Sequence, residues 1–317
     1  MQNAETLQPI ILQRADPCIR RFDDGWYYFT ASVPAYDRIE LRRARTIAGL
    51  ASAPPSVVWR KPDTGPFCEL VWAPEIHRVL GVWVVYFAAA PSREIKDELF
   101  QHRMWAITTP SLDRLEGPWS GPFRVDSGID TFCLDATSFR HRGTTFYVWA
   151  QKGPGIRGNS NIYIARLESP TKLATAPVLL SRPEHPWETR GFWVNEGPSV
   201  LVRNGRVFLS YSASATDENY CMGLLYADEG ADLLDPSSWT KLPEPVFRSD
   251  MEKHVFGPGH NSFTVSEDGS ADLLVYHART YTEIVGDPLW DPNRHTYIKR
   301  LRWDAAGMPA FGKPSEP

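Results

Sequence analysis

Five stretches of the chain repeat one pattern of apolar and polar positions. Each stretch opens with a short apolar run, turns at a glycine and continues with a run rich in aromatic and β-branched residues. The turn glycines are spaced by 56, 62, 62 and 64 residues and are Gly25, Gly81, Gly143, Gly205 and Gly269. Asp-Gly or Asn-Gly stands at three of these turns, and both dipeptides are typical of tight hairpins. Each repeat is therefore predicted to begin with a β-hairpin.

Two further runs follow the hairpin in every repeat. The third run alternates apolar and polar residues as a half-buried strand does, at residues 38–46, 100–109, 161–169, 220–228 and 295–303. The fourth is weaker and is expected at residues 57–59, 123–125, 178–180, 246–247 and 309–311. The pattern predicts an all-β fold, a five-bladed β-propeller with four strands per blade, over residues 1–317 as a single domain. A β-sandwich is the alternative, and helix is expected only as a turn at 93–98.

The composition fits a core-forming chain rich in strands and turns. Of the 317 residues, 42% are hydrophobic and 23% charged, and the chain contains 12 Trp, 12 Tyr, 15 Phe, 27 Pro and 22 Gly. A net charge of −4 without a basic face argues against a nucleic-acid partner. No window reaches the length of a membrane span and the N-terminus lacks a signal-peptide pattern. We expect a protein with no membrane partner, either cytoplasmic or secreted with its signal removed.

Cysteine usage predicts no metal or redox centre. The four cysteines lie far apart in the sequence and form no CxxC pair: Cys18, Cys68, Cys133 and Cys221. We expect them to be small buried apolar side chains.

A propeller directs the starts of its five inner strands towards one axis. The polar residues at these starts lie six to nine residues before the turn glycines and are Asp16, Glu75, Asp135, Glu196 and His260. Neighbouring carboxylates raise one another's pKa, so such a cluster indicates chemistry. A protonated carboxyl acid beside an ionised carboxylate base is what glycosidic bond hydrolysis uses. Taken singly, Asp16, Asp135 and Glu196 also suit turn positions, and Glu75 is expected to be structural.

Other residues near these strands bear on binding. Trp72, in VWAPEIH, is a candidate platform for a sugar ring, with a core position as the alternative. His260 has no second His or Cys at ligand spacing, so we expect no direct transition-metal site but a water or an ion near it. The sequence contains no HExxH, GxSxG, P-loop or helix-opening GxGxxG motif, which disfavours zinc-protease, serine-hydrolase and nucleotide-binding functions.

These segments resemble glycoside hydrolase family 43 over nearly the whole chain. The similar segments are ADPCIRRFDDGWYYFTAS, WAPEIH, LDATSF, NEGPSVL and GPGHNSF, one in each blade in order. The resemblance implies an inverting hydrolase with Asp16 as general base, Glu196 as general acid, and Asp135 tuning the pKa of the acid and orienting it. The two catalytic carboxyls are then expected about 6.5–9.5 Å apart. The resemblance implies no cofactor for the chemistry, and a calcium or other ion held largely through water near His260.

Within the family, residues 31–50 resemble exo-acting α-L-arabinofuranosidases that trim 1,5-linked arabinan. The resemblance implies that residues 1–317 are one catalytic domain acting on arabinan or its oligosaccharides. The sequence stops after the fifth blade, without the β-sandwich that many β-xylosidases carry. This agrees with the resemblance to the arabinofuranosidases. Asn159 is expected either to bind sugar or to form a loop turn. Insertions at 91–100 and 281–294 are expected to close the groove into a pocket.

Three other functions remain open. A β-xylosidase or endo-arabinanase of the same family is the nearest. A propeller lectin is a second, although lectins usually repeat one site in every blade and the five inner positions here differ. A retaining hydrolase of sucrose or fructans is the third, but the Asn-Asp-Pro-Asn segment of that group is replaced by Arg-Ala-Asp-Pro at residues 14–17.

Overall fold

Five antiparallel sheets follow one another along the chain in the computed structural model, which describes residues 7–316. The first strand of each sheet packs against the first strands of the neighbouring sheets, and these five strands form a closed ring. This arrangement confirms the predicted five-bladed propeller. Residues 1–6, part of the segment in which the sequence predicts no signal peptide, and residue 317 lie outside the described residues. Within residues 7–316, no helix has the length and hydropathy needed to cross a bilayer.

The first two blades contain ten strands and one helix. The first blade consists of β1 (Ala15–Arg21), β2 (Tyr27–Ser32), β3 (Arg38–Ala44), α1 (Ile47–Ser52) and β4 (Ser56–Arg60). The second consists of β5 (Glu69–Val79), β6 (Val82–Ala90), the separate hairpin β7 (Ile95–Lys96) and β8 (Leu99–Phe100), then β9 (Arg103–Thr109) and β10 (Ser120–Arg124). The order of pairing in the second sheet is β5-β6-β9-β10.

The remaining three blades repeat this plan with shorter outer strands. The third consists of β11 (Cys133–His141), β12 (Thr144–Gln151), β13 (Asn161–Ser169), β14 (Lys172–Leu173) and β15 (Val178–Ser181). The fourth consists of a 3-10 turn (Pro186–Glu188), β16 (Asn195–Arg203), β17 (Arg206–Ala213), β18 (Cys221–Asp228), a second turn (Pro236–Ser238) and β19 (Thr240–Lys241). The fifth consists of β20 (Phe256–Val265), β21 (Asp272–Arg279), a third turn (Pro288–Trp290) and β22 (His295–Arg300), followed by the pair β23 (Arg302–Trp303) and β24 (Pro309–Ala310).

Three details of the sequence-based prediction are wrong. Residues 93–98 form no helical turn, because Asp97 (φ 51°) and Glu98 (φ 66°) adopt the left-handed conformation that turns the β7–β8 hairpin. In the fourth blade the outer strand is β19, and Phe247 makes only an isolated bridge to Met222. In the fifth blade β24 pairs with β23, outside the main sheet.

The N-terminal segment occupies the outer edge of the fifth blade. Thr296 in β22 donates its main-chain N–H to the carbonyl of Ile11 (2.9 Å) and accepts the N–H of Ile10 (2.8 Å). The side chain of Ile11 is buried with Phe29 of the first blade and Val275 of the fifth. The start of the chain therefore ties the last blade to the first.

A β-bulge interrupts each inner strand at the same level. At each bulge the pairing register shifts around one residue with positive φ: Asp16 (54°), Ala73 (45°), Asp135 (52°), Gly197 (52°) and His260 (43°). Four of these residues are not glycine, and such a conformation is uncommon for them. Bulges re-aim side chains at the ends of sheets. The channel mouth is therefore where the inner strands present their polar groups.

The cysteines lie in the interior of the blades. All four are buried free thiols: Cys18, Cys68, Cys133 and Cys221. Burial raises the pKa of Cys18 and of Cys221 to about 12, so both thiols stay protonated at neutral pH. The expectation that the four cysteines are small buried side chains is confirmed.

The contact of Ile11 with two blades leads to a stability prediction. Ile11→Ala removes a side chain that is 5% exposed, and we expect the free energy of unfolding to fall by about 2–5 kcal/mol. Leu12→Ala is the matched control, because Leu12 is 62% exposed and its loss is expected to matter by less than about 0.5 kcal/mol. Urea unfolding followed by tryptophan fluorescence measures both variants. Equal losses would contradict the closing role of Ile11.

Candidate active site

The channel opens on one face of the propeller into a pocket of about 230 Å³. Carboxyl groups, aromatic rings and aliphatic side chains line it together. All six residues that the sequence analysis singled out for catalysis or binding are among the lining: Asp16, Trp72, Asp135, Asn159, Glu196 and His260. The structure therefore brings residues from all five blades to one small space.

Asp16 carries the carboxyl group most strongly held in its ionised form. Its Oδ2 accepts a hydrogen bond from the hydroxyl of Ser32 (2.6 Å), and its Oδ1 lies 3.3 Å from His260 Nδ1 and 3.6 Å from Arg294 Nη1. Burial opposes ionisation, but His260, Arg294, His277 and the Ser32 hydrogen bond outweigh it and lower the pKa of Asp16 to about 2. Asp16 is therefore a carboxylate at every pH at which the protein is expected to work.

His277 supports Asp16 through the backbone as well. Its Nδ1 accepts the main-chain N–H of Asp16 (3.0 Å), so this nitrogen is unprotonated and the ring is neutral. Burial lowers the pKa of His277 well below its usual range, which agrees. Burial also lowers the pKa of His260. With both rings neutral at pH 7, the full positive charge beside Asp16 is that of Arg294.

Glu196 carries a carboxyl group that holds a proton near neutral pH. Tyr220 donates its hydroxyl hydrogen to Glu196 Oε1 (2.8 Å). Burial and the charge of Asp16 raise the pKa of Glu196 to about 7, against the Tyr220 hydrogen bond and the charge of Arg294, which lower it. A carboxyl group with this pKa is protonated in about half of the molecules at pH 7, which suits a general acid.

Asp135 is a third buried carboxyl group of the pocket, close enough to Asp16 and Glu196 to feel their charges. Its Oδ2 accepts the main-chain N–H of Gly197 (3.0 Å) and lies 3.7 Å from His260 Nδ1. Burial and the charges of Glu196 and Asp16 raise the pKa of Asp135 well above its usual range. Because buried carboxylates in one pocket repel each other, ionisation of Glu196 opposes ionisation of Asp135. Asp135 also holds the backbone immediately after Glu196.

Side chains of the preceding blade accept the main-chain N–H groups that the bulges leave unpaired. At four bulges the main-chain N–H donates to a side chain of the preceding blade: Asp16 to His277, Ala73 to Ser32, Gly197 to Asp135 and His260 to Ser212. A buried N–H without a partner would cost about 1–3 kcal/mol. The polar residues around the axis therefore serve the backbone as well as the pocket.

Two of the five predicted inner-strand positions are not equivalent to the others. The bulge residue is Ala73 in the second blade and Gly197 in the fourth, whereas the sequence analysis took Glu75 and Glu196. Glu75 is buried outside the pocket lining, bonded to His77 Nε2 (2.9 Å) and 3.5 Å from Arg20. Ala73 lies eight residues before Gly81, the same spacing as Asp135 before Gly143, so choosing the polar residue Glu75 rather than this spacing misplaced the bulge.

The sequence analysis missed several polar partners of the site. Ser32, Ser212 and His277 lie on the second strand of their blades, opposite the inner-strand bulge. All three end the aromatic run that follows a turn glycine, seven or eight residues after it. A polar residue at that distance from a turn glycine could therefore have been predicted to lie near the site. Tyr220 and Arg294 carried no comparable signal, since each reaches the site from a segment outside the hairpins.

Trp72 and Asn159 complete the pocket on the side of the second and third blades. Trp72 is only 8% exposed and stacks on His102, with ring centroids 3.8 Å apart and planes at 23°. The rings of Tyr36 and Phe100 contact it edge-on. Asn159 is partly exposed, and its main-chain N–H donates to the carbonyl of Trp193 (2.8 Å).

Both insertions line the pocket, as the sequence analysis expected. Residues 91–100 and residues 281–294 each contribute part of the wall, namely Ile95, Glu98, Leu99, Phe100, Asp287, Leu289 and Arg294. The guanidinium of Arg93 lies over the ring of Trp290, 5.2 Å from its centroid, and joins the two insertions. The site is therefore a pocket closed on one side rather than an open groove.

Comparison with known proteins finds relatives over most of the chain. The model of the family described as Glycosyl hydrolases family 43 matches residues 6–309. A protein named Extracellular exo-alpha-(1->5)-L-arabinofuranosidase from Streptomyces chartreusis is 50% identical over 280 residues, 88% of this chain and 84% of that protein. One of the same name from Streptomyces avermitilis is 47% identical over 306 residues, 96% of this chain.

The chain spans 63% of the length of the Streptomyces avermitilis protein and of Alpha-L-arabinofuranosidase 43 from Humicola insolens, which is 49% identical. Among solved structures, an alpha-L-arabinofuranosidase from Lactobacillus brevis matches with a TM-score of 0.96 and 55% identity. The match covers 100% of this chain and 99% of that one.

The surroundings of Glu196 predict one glutamate carboxyl group that titrates near pH 7. We expect NMR of protein labelled with ¹³C at the glutamate carboxyls to show this signal, and Glu196→Gln to remove it. Asp16→Asn removes a negative charge that raises the pKa, so the midpoint should move to lower pH. A Glu196 midpoint in the range of exposed glutamates would contradict the argument from burial and charge.

Proposed function

Because the chain belongs to Glycosyl hydrolases family 43, we propose that it is an inverting glycoside hydrolase that releases terminal α-L-arabinofuranose from arabinan or arabino-oligosaccharides. One observation carries this proposal: a carboxylate, Asp16, and a carboxyl group with a pKa of about 7, Glu196, line the same small pocket. The names of the relatives at 47–55% identity support arabinofuranosidase activity over the β-xylosidase alternative.

The proposed reaction is a single displacement. Glu196 gives its proton to the glycosidic oxygen while the bond from the anomeric carbon to that oxygen breaks, and the bonding electron pair stays with the leaving oxygen. A water molecule attacks the anomeric carbon from the opposite face and loses a proton to Asp16. Asp16 is a weak base, but the attacking water becomes strongly acidic as it bonds to the cationic sugar carbon, so a late proton transfer suffices. The charge of Arg294 keeps Asp16 ionised until then.

Asp135 supports the acid in this proposal. By accepting the N–H of Gly197 it fixes the backbone next to Glu196, and a negative charge on Asp135 would oppose ionisation of Glu196 and so keep that side chain available as a donor. This assigns to Asp135 the orienting and pKa-tuning role that the resemblance implied.

The size of the pocket supports attack at a chain end. A volume of about 230 Å³ is below the range of about 300–1,000 Å³ that is common for pockets of drug-sized ligands, and suits one sugar ring. We propose that Trp72 offers its ring to the sugar and that Asn159 donates to a hydroxyl. The two insertions block extension of the polymer beyond that ring.

The proposal includes residues 1–317 as one catalytic domain and no cofactor, since family 43 hydrolysis needs none. The described residues contain no group of three His, Cys, Asp or Glu side chains that could hold a metal ion directly. An ion on the axis would therefore be bound mainly through water beside His260, and no step of the reaction depends on it. The word extracellular in the names of two relatives favours secretion over a cytoplasmic location.

Substitution of the two catalytic carboxyl groups tests the function. We expect Asp16→Asn and Glu196→Gln each to lower kcat/KM on 1,5-arabino-oligosaccharides by about 10²–10⁴-fold. Glu168→Gln, an exposed glutamate of the third blade, is the control and should act like wild type. Chromatography identifies the released sugar and NMR its anomer, expected first as the inverted β form. Release of xylose alone from aryl β-D-xyloside would change the assignment to β-xylosidase, and near-wild-type turnover by either variant would overturn the mechanism.

The two pKa values predict the pH dependence of kcat/KM. The base must be ionised, which holds above about pH 2, and the acid must be protonated, which is lost as the pH rises through about 7. We expect a flat profile in the weakly acidic range and a tenfold fall per unit well above pH 7. Initial rates at low substrate concentration measure this profile. An acidic limb with a midpoint between pH 5 and 7 would contradict the low pKa of Asp16.

A further inference from the structure

Tyr220 is a buried phenol that the proposed reaction does not yet use. It is 1% exposed, and its hydroxyl donates to Glu196 Oε1 at 2.8 Å. Burial and the charge of Glu196 raise the pKa of this phenol well above its usual range. The hydroxyl therefore stays protonated at all relevant pH values and remains a donor to the carboxyl group.

The ring of Tyr220 is fixed on two sides. It stacks on His277 with ring centroids 5.5 Å apart and planes at 9°. A side chain on Gly259 would collide with Cε1 and Cδ1 of the same ring, so the absence of a side chain at Gly259 makes room for it. His277 in turn accepts the N–H of Asp16. The phenol that contacts the proposed acid thus packs on the ring that supports the proposed base.

We propose that Tyr220 is a positioning residue that binds Oε1 of Glu196 and leaves Oε2 as the oxygen that delivers the proton. The inference rests on the proposed function. In the reaction, the Oε2–H bond breaks, a bond forms from that hydrogen to the leaving oxygen, and Glu196 becomes a carboxylate. The hydrogen bond from Tyr220 strengthens as this charge develops, because hydrogen bonds to charged acceptors are the stronger ones. Tyr220 thus stabilises the transition state more than the ground state.

The charges around Glu196 give the direction of the pH effect. The groups facing it are Asp16, Asp135, Arg294 and Tyr220, with His260 packed on the adjacent Gly197. Tyr220 and Arg294 favour the ionised form of Glu196. Removing the hydroxyl leaves Arg294 alone in that role, so the pKa of Glu196 must rise.

Tyr220→Phe tests the inference because it removes only the hydroxyl. With arabinobiose, whose leaving group needs protonation, we expect kcat/KM to fall about tenfold or more, the size of one hydrogen bond to a charged group. With 4-nitrophenyl α-L-arabinofuranoside, which leaves easily, the fall should be much smaller. The alkaline limb of the kcat/KM profile should move up by about one pH unit. A residue that merely held the fold together would lower both rates alike and leave the limb in place.

Tyr211 offers a matched control in the same blade. It is fully buried and its hydroxyl donates to Glu188 Oε1 at 2.8 Å, but that carboxylate is paired with Lys241 outside the pocket. Tyr211→Phe should leave the leaving-group dependence and the pH limb unchanged. A second variant, Gly259→Ala, keeps the hydroxyl of Tyr220 but displaces its ring, and should reproduce the effects of Tyr220→Phe.

The outcomes separate this inference from the proposed function. Wild-type protein that releases no arabinose would overturn the proposed function. The NMR midpoint of Glu196 then still tests the contact: a higher midpoint in Tyr220→Phe supports it and an unchanged midpoint overturns it. If the wild type is active, Tyr220→Phe could still lower the rates on both substrates equally and leave the alkaline limb in place. That result would overturn the positioning role alone. Gly259→Ala supplies the same readouts where Tyr220→Phe does not fold.

Discussion

The hydrogen bonds between bulges and preceding blades are the interaction on which the site depends. Each inner strand leaves its ladder at the channel mouth, and at four of the five bulges a neighbouring side chain accepts the freed N–H. Without these acceptors the bulges would bury unpaired donors, and the inner strands would lose the geometry that points their side chains inward. Asp135 shows that one group does two tasks, since the carboxylate that satisfies Gly197 also sets the charge around Glu196.

That arrangement places three carboxyl groups in one desolvated space, where their negative charges repel. Each carboxyl group has a different partner, so the three differ in how easily they ionise. Asp16 faces the guanidinium of Arg294 and is ionised, whereas Glu196 faces a neutral phenol and holds a proton near pH 7. Burial and the charges of Glu196 and Asp16 raise the pKa of Asp135, because the main-chain N–H that it faces offers only a partial charge in return. The difference between the proposed acid and the proposed base is therefore a difference in neighbours, because all three side chains come from the same end of an inner strand, at the bulge or next to it.

The parts of this design that the sequence could predict are those encoded locally. A hairpin is a property of a dozen consecutive residues, so the five glycine turns and the carboxyls that precede them were visible along the chain. The bulge residue of the second blade was missed because it is an alanine, which carries no polar signal: Ala73 rather than Glu75 is the bulge there. Contacts between distant segments were also hidden, such as Ile11 with Thr296, since nothing along the chain marks such a pairing.

Arg294 shows that the wall of the pocket and the chemistry inside it are not independent. The first insertion, with the β7–β8 hairpin, lines the pocket but is not among the groups that set the pKa of Asp16. It could therefore change without changing the charge beside Asp16. The second insertion is different: it ends in Arg294, whose guanidinium lies 3.6 Å from Asp16 and donates to the hydroxyl of Tyr36 (3.0 Å). A change in that loop that reshaped the pocket would also displace the charge that keeps Asp16 ionised. Substrate fit and the protonation state of Asp16 are thus coupled through one side chain.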